Sequence, residues 1–89
     1  MINIIKADYV EDRVIRLVFS DNSFGDYDLK PLIDKNTIMV RPFVNEVFFK
    51  SFFIELGALC WRNGFELSPE SLHQKLSEQN KLQPMQKVA

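Results

Sequence analysis

Apolar and polar residues alternate most regularly across residues 13–19. Ile15, Leu17 and Phe19 fall on one face, with Arg13 at its start, and Val14, Arg16, Val18 and Ser20 fall on the other. A period of two with one apolar face predicts a strand in a sheet covered on one side. Upstream, residues 2–7 predict a first strand with imperfect alternation, and residues 8–12 a polar connection carrying Tyr9 and Val10. Downstream, Asp21-Asn22 tolerates left-handed backbone angles and predicts a hairpin turn. Residues 24–29 then form the return strand, with Gly25 as a weak point or bulge. Asp28 is placed to cap a short helical turn over residues 29–33, where Pro31 fits the first turn.

The middle of the chain is harder to phase. Residues 34–36 read as a loop, and residues 37–40 as a brief strand or an extended connector before Arg41-Pro42. Residues 43–56 admit two readings. One is a single helix with Val44, Val47, Phe48 and Phe52 on a face, ended by Gly57. The other is a short helix over residues 44–50, a strand over 51–54, a turn at 55–57 and a strand over 58–61.

Residues 61–70 carry dense turn and cap signals. Asn63-Gly64 predicts a tight hairpin turn in which both positions accept positive φ. Ser68 is a natural helix N-cap, Pro69 fits the first helical position, and Glu70 favours the positive helix end. Leu72 and Leu76 fall one turn apart on the helix that follows, which fades through residues 77–81.

The 89 residues suit one domain, expected over residues 1–78, followed by a polar, flexible tail over 79–89. At 46% hydrophobic the chain can build a core, and eight Phe make that core aromatic unless a partner covers part of the surface. A net charge of -1 gives neither a general nucleic-acid signature nor a polybasic membrane patch. The single Cys60 excludes an intramolecular disulfide and favours a reducing setting. No signal-peptide pattern or membrane-length apolar run is visible, so the expected location is cytoplasmic.

Chemistry is thinly represented. His73 is the only histidine and reads as a surface or structural residue. Cys60 has no histidine nearby in the chain and reads as a buried, inert thiol. Asp8, Glu11, Asp12, Asp21, Asp26 and Asp28 fall at turns and caps, where carboxylates have local work. No phosphate loop, nucleophile elbow or zinc helix is present, and no cofactor or metal is expected. Arg13, Arg16, Arg41 and Arg62 could converge with Tyr27 or Trp61 on a phosphate-binding surface. Trp61 and Phe65, with Phe49 and Phe52, could instead form a protein-binding patch if exposed, or core if buried.

The order of these signals resembles the small bacterial domain of unknown function catalogued as DUF2442. The matching residues are Leu17-Val18-Phe19-Ser20-Asp21, Asp28-Leu29, Glu46-Val47-Phe48-Phe49, and the run from Trp61 through Asn63-Gly64, Ser68-Pro69 and Leu72. The chain departs from the family pattern at Asn22, where Gly is usual, and at Glu66, where Asp is usual. The resemblance implies an antiparallel sheet packed on helices with a hairpin before the last motif, which favours the short-helix reading of residues 43–56. It also implies an association with small toxin-like or uncharacterised proteins encoded nearby.

The expectation is therefore an α+β domain: a small antiparallel sheet built from hairpins, one or two short helices, and a C-terminal helix. Its expected role is a non-enzymatic protein-interaction module, accessory or antitoxin-like, for a small bacterial partner protein. The alternatives are a nucleic-acid-associated regulatory subunit and a small enzyme. The candidate interaction surface is Trp61, Arg62, Asn63, Phe65, Arg16 and Arg41. An exposed edge strand would allow a homodimer.

Overall fold

The computed structural model describes residues 1–85. In chain order the elements are β1 (Ile4–Glu11), β2 (Val14–Phe19), β3 (Ser23–Asp28), α1 (Lys30–Asp34), a 3-10 turn (Arg41–Val44), α2 (Glu46–Phe49), β4 (Phe53–Glu55), β5 (Ala58–Cys60), β6 (Glu66–Leu67), α3 (Pro69–Glu78) and β7 (Gln83–Pro84). The class is α+β with a C-terminal helix, as expected. The strands divide into two antiparallel sheets, one ordered β1-β2-β3-β7 and one ordered β4-β5-β6.

The strongest predicted strand is present as β2, and Ile15, Leu17 and Phe19 are all fully buried. β1 differs from expectation, because residues 8–11 belong to the strand and are no connection. The reason is two bulges. Ile4 pairs with Phe19 but Lys6 with Val18, and Tyr9 pairs with Ile15 but Glu11 with Val14. One extra residue each, Ile5 and Val10, breaks the period of two and shifts its phase. Arg13 is likewise no strand residue. Asp12 (φ 49°) and Arg13 (φ 67°) form a two-residue turn of left-handed type without any glycine.

The Asn22 turn is as predicted, with φ 70° and its N–H donated to the Phe19 carbonyl at 3.1 Å. Gly25 is neither weak point nor bulge. A Cβ there would lie 2.9 Å from the Lys81 carbonyl oxygen and 3.0 Å from Leu76, so glycine permits the close approach of α3 to β3. Asp28 accepts the Lys30 N–H at 2.9 Å, and α1 starts one residue later than expected.

Residues 37–40 are a turn, neither strand nor extended connector. The N–H groups of Val40 and Arg41 both point to the Thr37 carbonyl at 3.1 Å. This bend buries Val40 and lets the 3-10 turn bury Phe43. Beyond it, α2 is short and capped by Asn45, whose side chain accepts the Phe48 N–H at 3.0 Å. The long helix does not form; β4 and β5 follow, joined by Leu56-Gly57.

α3 begins as read, with Ser68 accepting the Ser71 N–H at 3.1 Å and Pro69 in the first turn. It ends differently. Asn80 takes φ 58°, its N–H reaches Ser77, and the Lys81 N–H reaches the Leu76 carbonyl at 2.9 Å. This left-handed cap turns the chain back on itself. Residues 79–85 are therefore no free tail: Gln83 and Pro84 pair with Phe24 and Ser23. The rest of the predicted tail, residues 86–89, lies outside the described residues. No helix among the described residues is long and apolar enough to cross a membrane.

One buried core draws on both sheets, the 3-10 turn, α2 and α3. Ile15, Leu17 and Phe19 meet Leu72 and Leu76 in one buried cluster with Phe43, Phe49, Leu59 and Trp61.

Candidate interaction surface

Trp61 sits at the end of β5 and is 1% exposed. Its ring centroid lies 4.5 Å from that of Phe43, 5.8 Å from Phe49, 6.0 Å from Phe65 and 6.2 Å from Phe52. Its Nε1 donates to the Phe49 carbonyl at 2.9 Å, so the one polar atom of the indole is satisfied. Trp61 is therefore core and leaves the predicted surface. Phe65 is half-buried against Phe43 and Trp61, and serves the same cluster.

The Asn63-Gly64 turn also differs from expectation. Only Gly64 has positive φ, at 90°. The Trp61 N–H donates to the Phe65 carbonyl at 2.9 Å and the Gly64 N–H to the Trp61 carbonyl at 3.0 Å, enclosing the three residues 62–64. A three-residue loop with a left-handed glycine at its end is the next most common hairpin connection. Asn63 has a different task from the one expected. Its Oδ1 accepts the Phe65 N–H at 3.2 Å, and its Nδ2 donates to the Met39 carbonyl at 2.9 Å, tying this loop to the 37–40 turn.

The four arginines are not brought together as free cations. Arg13 donates from Nε to the Phe43 carbonyl at 3.0 Å and from Nη2 to the Val44 carbonyl at 2.7 Å. Its guanidinium also lies 5.6 Å from the Phe49 ring and 3.6 Å from the Glu46 carboxylate. Arg16 stands on the open face of the first sheet, bidentate to Asp26 at 2.7 and 3.0 Å. The hydrogen bonds of that pair hold the Asp26 carboxyl below its usual range and raise Arg16. Arg41 donates to the Asn36 carbonyl at 3.3 Å. Arg62 is exposed at the 62–64 loop. Of the six predicted surface residues, Arg62 and Asn63 share the 62–64 loop, which Asn63 ties through Met39 to the turn preceding Arg41, and Arg16 lies on β2.

A cluster that sequence reasoning missed joins α3 to the β2–β3 turn. His73 Nε2 lies 2.9 Å from Asp21 Oδ2, and the His73 ring meets Phe19 edge-on at 5.0 Å. The other Asp21 oxygen accepts from the Ser23 N–H and hydroxyl. The Ser23 hydroxyl bond is the main cause that holds the Asp21 carboxyl below its usual value. Serine and histidine hang on opposite oxygens of one carboxylate, with no serine–histidine bond between them. The arrangement therefore pins two elements and builds no base–nucleophile relay. Cys60 is 5% exposed, and burial first, then the Glu66 charge, pushes its thiol up. Among the described residues, no group of three or more His, Cys, Asp or Glu could hold a metal ion.

Exposed aliphatic side chains are the other feature missed. Val44 is 68%, Val47 81% and Leu56 97% exposed. The single-helix reading puts both valines on a buried face. Val44 instead closes the 3-10 turn, and Val47 lies in a helix that starts only after Asn45, and both are exposed. Leu56 and Gly57 both have positive φ, at 51° and 81°, as a two-residue hairpin turn requires. A signal for Leu56 does exist in the sequence: a glycine at the second turn position puts its predecessor at the tip. The open face of the first sheet adds a shallow groove of about 730 Å³ lined by Lys6, Asp8, Arg16, Val18, Phe24 and Met85.

Residues 4–76 match the family model described as "Protein of unknown function (DUF2442)". No curated protein and no solved structure gives a significant match.

Proposed function

This chain belongs to the DUF2442 family, a family of unknown function, and we propose that it is a non-enzymatic protein-interaction module, the accessory or antitoxin-like partner of a small protein. One observation carries the reading. Leu56 is 97% exposed at the tip of the β4–β5 hairpin with φ 51°. A left-handed conformation costs an L-residue with a Cβ about 1 kcal/mol, and an exposed leucine gains nothing from the core. Asn or Gly would suit the free chain better at this position. A leucine held there is available for insertion into an apolar pocket of a partner, where its side chain would be removed from water. Val44 and Val47 supply further exposed aliphatic surface.

The test is to mix the purified chain with the product of a neighbouring gene and measure mass by light scattering. A heterocomplex that is lost with Leu56→Asp supports the reading. A complex indifferent to Leu56→Asp and Val47→Asp, or no complex at micromolar concentration, overturns it.

A further inference from the structure

The backbone groups of β1 point alternately to β2 and to solvent. Glu11 and Val14 flank the two-residue turn, so they form a hydrogen-bonded pair. By alternation, Arg16 and Val18 also face β1, and their partners Asp8 and Lys6 face β2. Ile4, Ala7 and Tyr9, opposite Phe19, Leu17 and Ile15, point away. The Ile4 amide demonstrates this direction, because it donates to the Gly57 carbonyl at 2.9 Å. The outward N–H and C=O groups of Ala7 and Tyr9 have no backbone partner among the described residues.

The two edges of the first sheet are treated differently. β7 is two residues long and ends in Pro84, which blunts it. On β1, Gly57 occupies the edge at Ile4, and the bulged residue Val10 closes the far end. Between them lies an open stretch flanked by Ile5, which is 61% exposed. Its outer side chains are Lys6 and Asp8, 68% and 56% exposed, with their charged tips 3.6 Å apart.

This stretch is complementary to itself. Antiparallel pairing about a two-fold axis must match outward groups with outward groups, so the axis passes through Ala7, Asp8 or Tyr9. An axis at Asp8 sets two aspartates face to face, which is unfavourable. An axis at Tyr9 sets the outward-facing Ala7 opposite Glu11, whose backbone groups are already engaged with Val14 of β2. An axis at Ala7 sets the two Ala7 residues in a hydrogen-bonded pair. Lys6 of each copy then stands opposite Asp8 of the other in the closer, non-hydrogen-bonded positions, and Tyr9 stands opposite Ile5.

We propose that two copies of this chain associate by antiparallel pairing of β1 with β1, centred on Ala7, which joins their first sheets into one. The occupant of this edge is a second copy because the Lys6–Asp8 order is matched by its own reversal. The inference stands apart from the partner proposed for Leu56, which lies on the β4–β5 hairpin.

Light scattering of the full chain over a wide concentration range tests it. The expected result is twice the chain mass at high-micromolar concentration, with dissociation on dilution and weakening as salt screens the ion pairs. Ala7→Pro removes an outward amide that the monomer does not use, so it should give a monomer with an unchanged circular dichroism spectrum. Lys6→Glu places like charges opposite each other twice and should weaken the dimer roughly tenfold or more. Lys6→Glu combined with Asp8→Lys reverses both charges and should restore it. A wild-type chain that stays monomeric, a dimer that survives Ala7→Pro, or a double exchange that fails to recover would each overturn the proposal.

Discussion

Trp61 Nε1 donates its hydrogen bond to the Phe49 carbonyl oxygen across the core, at 2.9 Å. The bond links the strand end before the 62–64 loop to the last residue of α2, and both rings are buried. Replacing Trp61 by Phe keeps an aromatic ring but removes volume and leaves the Phe49 carbonyl without this donor. The expected loss is about 2–4 kcal/mol, combining a cavity with an unsatisfied buried acceptor. Urea unfolding checks it; a midpoint equal to that of the unaltered chain would show that the indole bond stabilises nothing.

Arg13 is the second fixed point. It holds two carbonyls of the 3-10 turn, Phe43 and Val44, while its own N–H donates to the Tyr9 hydroxyl at 3.2 Å. Tyr9 in turn donates to Glu46 at 2.9 Å. Arg13→Ala should destabilise by about 2–3 kcal/mol, because charge-assisted bonds are lost and carbonyls are left without their donor. Arg13→Lys should recover only part of this, since an ammonium group cannot reproduce the planar fork. Equal stability of the Lys variant and the unaltered chain would show that charge alone suffices.

The elements legible in the sequence are those where one local rule dominates. β2 alternates cleanly, Asn22 and Ser68-Pro69 obey turn and cap chemistry, and each is found where expected. Failures occur where long-range packing overrules the local pattern. The alternation of β1 stops short of its true end because Ile5 and Val10 bulge out of phase. The 37–40 segment reads as extended because it is apolar, yet it bends to bury Val40. Residues 79–85 read as free because they are polar, yet the Asn80 cap returns them to β3. For the candidate surface, aromatic content points at Trp61, which packing consumes. The exposed residues Val44 and Val47 carry no distinguishing chemistry in sequence, whereas Leu56 is marked only by the Gly57 that follows it at the hairpin tip.

Three carboxylates make the chain acid-sensitive. The Ser23 hydroxyl lowers Asp21, and the Arg16 guanidinium lowers Asp26. Burial pushes Asp28 up, but hydrogen bonds from the Lys30 amide and ammonium outweigh it and leave Asp28 lowered. A carboxyl lowered on folding binds fewer protons in the folded chain than in the unfolded one. Its contribution is complete above the unfolded pKa of about 4, and is lost as pH falls through the folded value. Urea midpoints should therefore hold near neutrality and fall below about pH 4. Asp21→Asn should lower the neutral midpoint and flatten this acid limb; an unchanged slope would remove Asp21 from the explanation.

Leu56 separates stability from binding most directly. Its backbone is left-handed and its side chain is 97% exposed, so the free chain has no packing to lose there. Leu56→Asn puts an asparagine directly before Gly57, and Asn-Gly is the pair best suited to a two-residue hairpin turn. The variant should be more stable by about 0.5–1 kcal/mol, because strain is relieved and no buried contact is removed. Gly57 must remain, since its φ is 81° and a Cβ there would run into the Asn3 side chain. The same variant should bind a partner that takes Leu56 in a pocket at least tenfold more weakly, a change of about 1.4 kcal/mol or more. Urea unfolding and titration calorimetry on one protein preparation measure both quantities. Gained stability with undiminished binding would show that the turn is strained for another reason, and would move the interaction surface away from the β4–β5 tip.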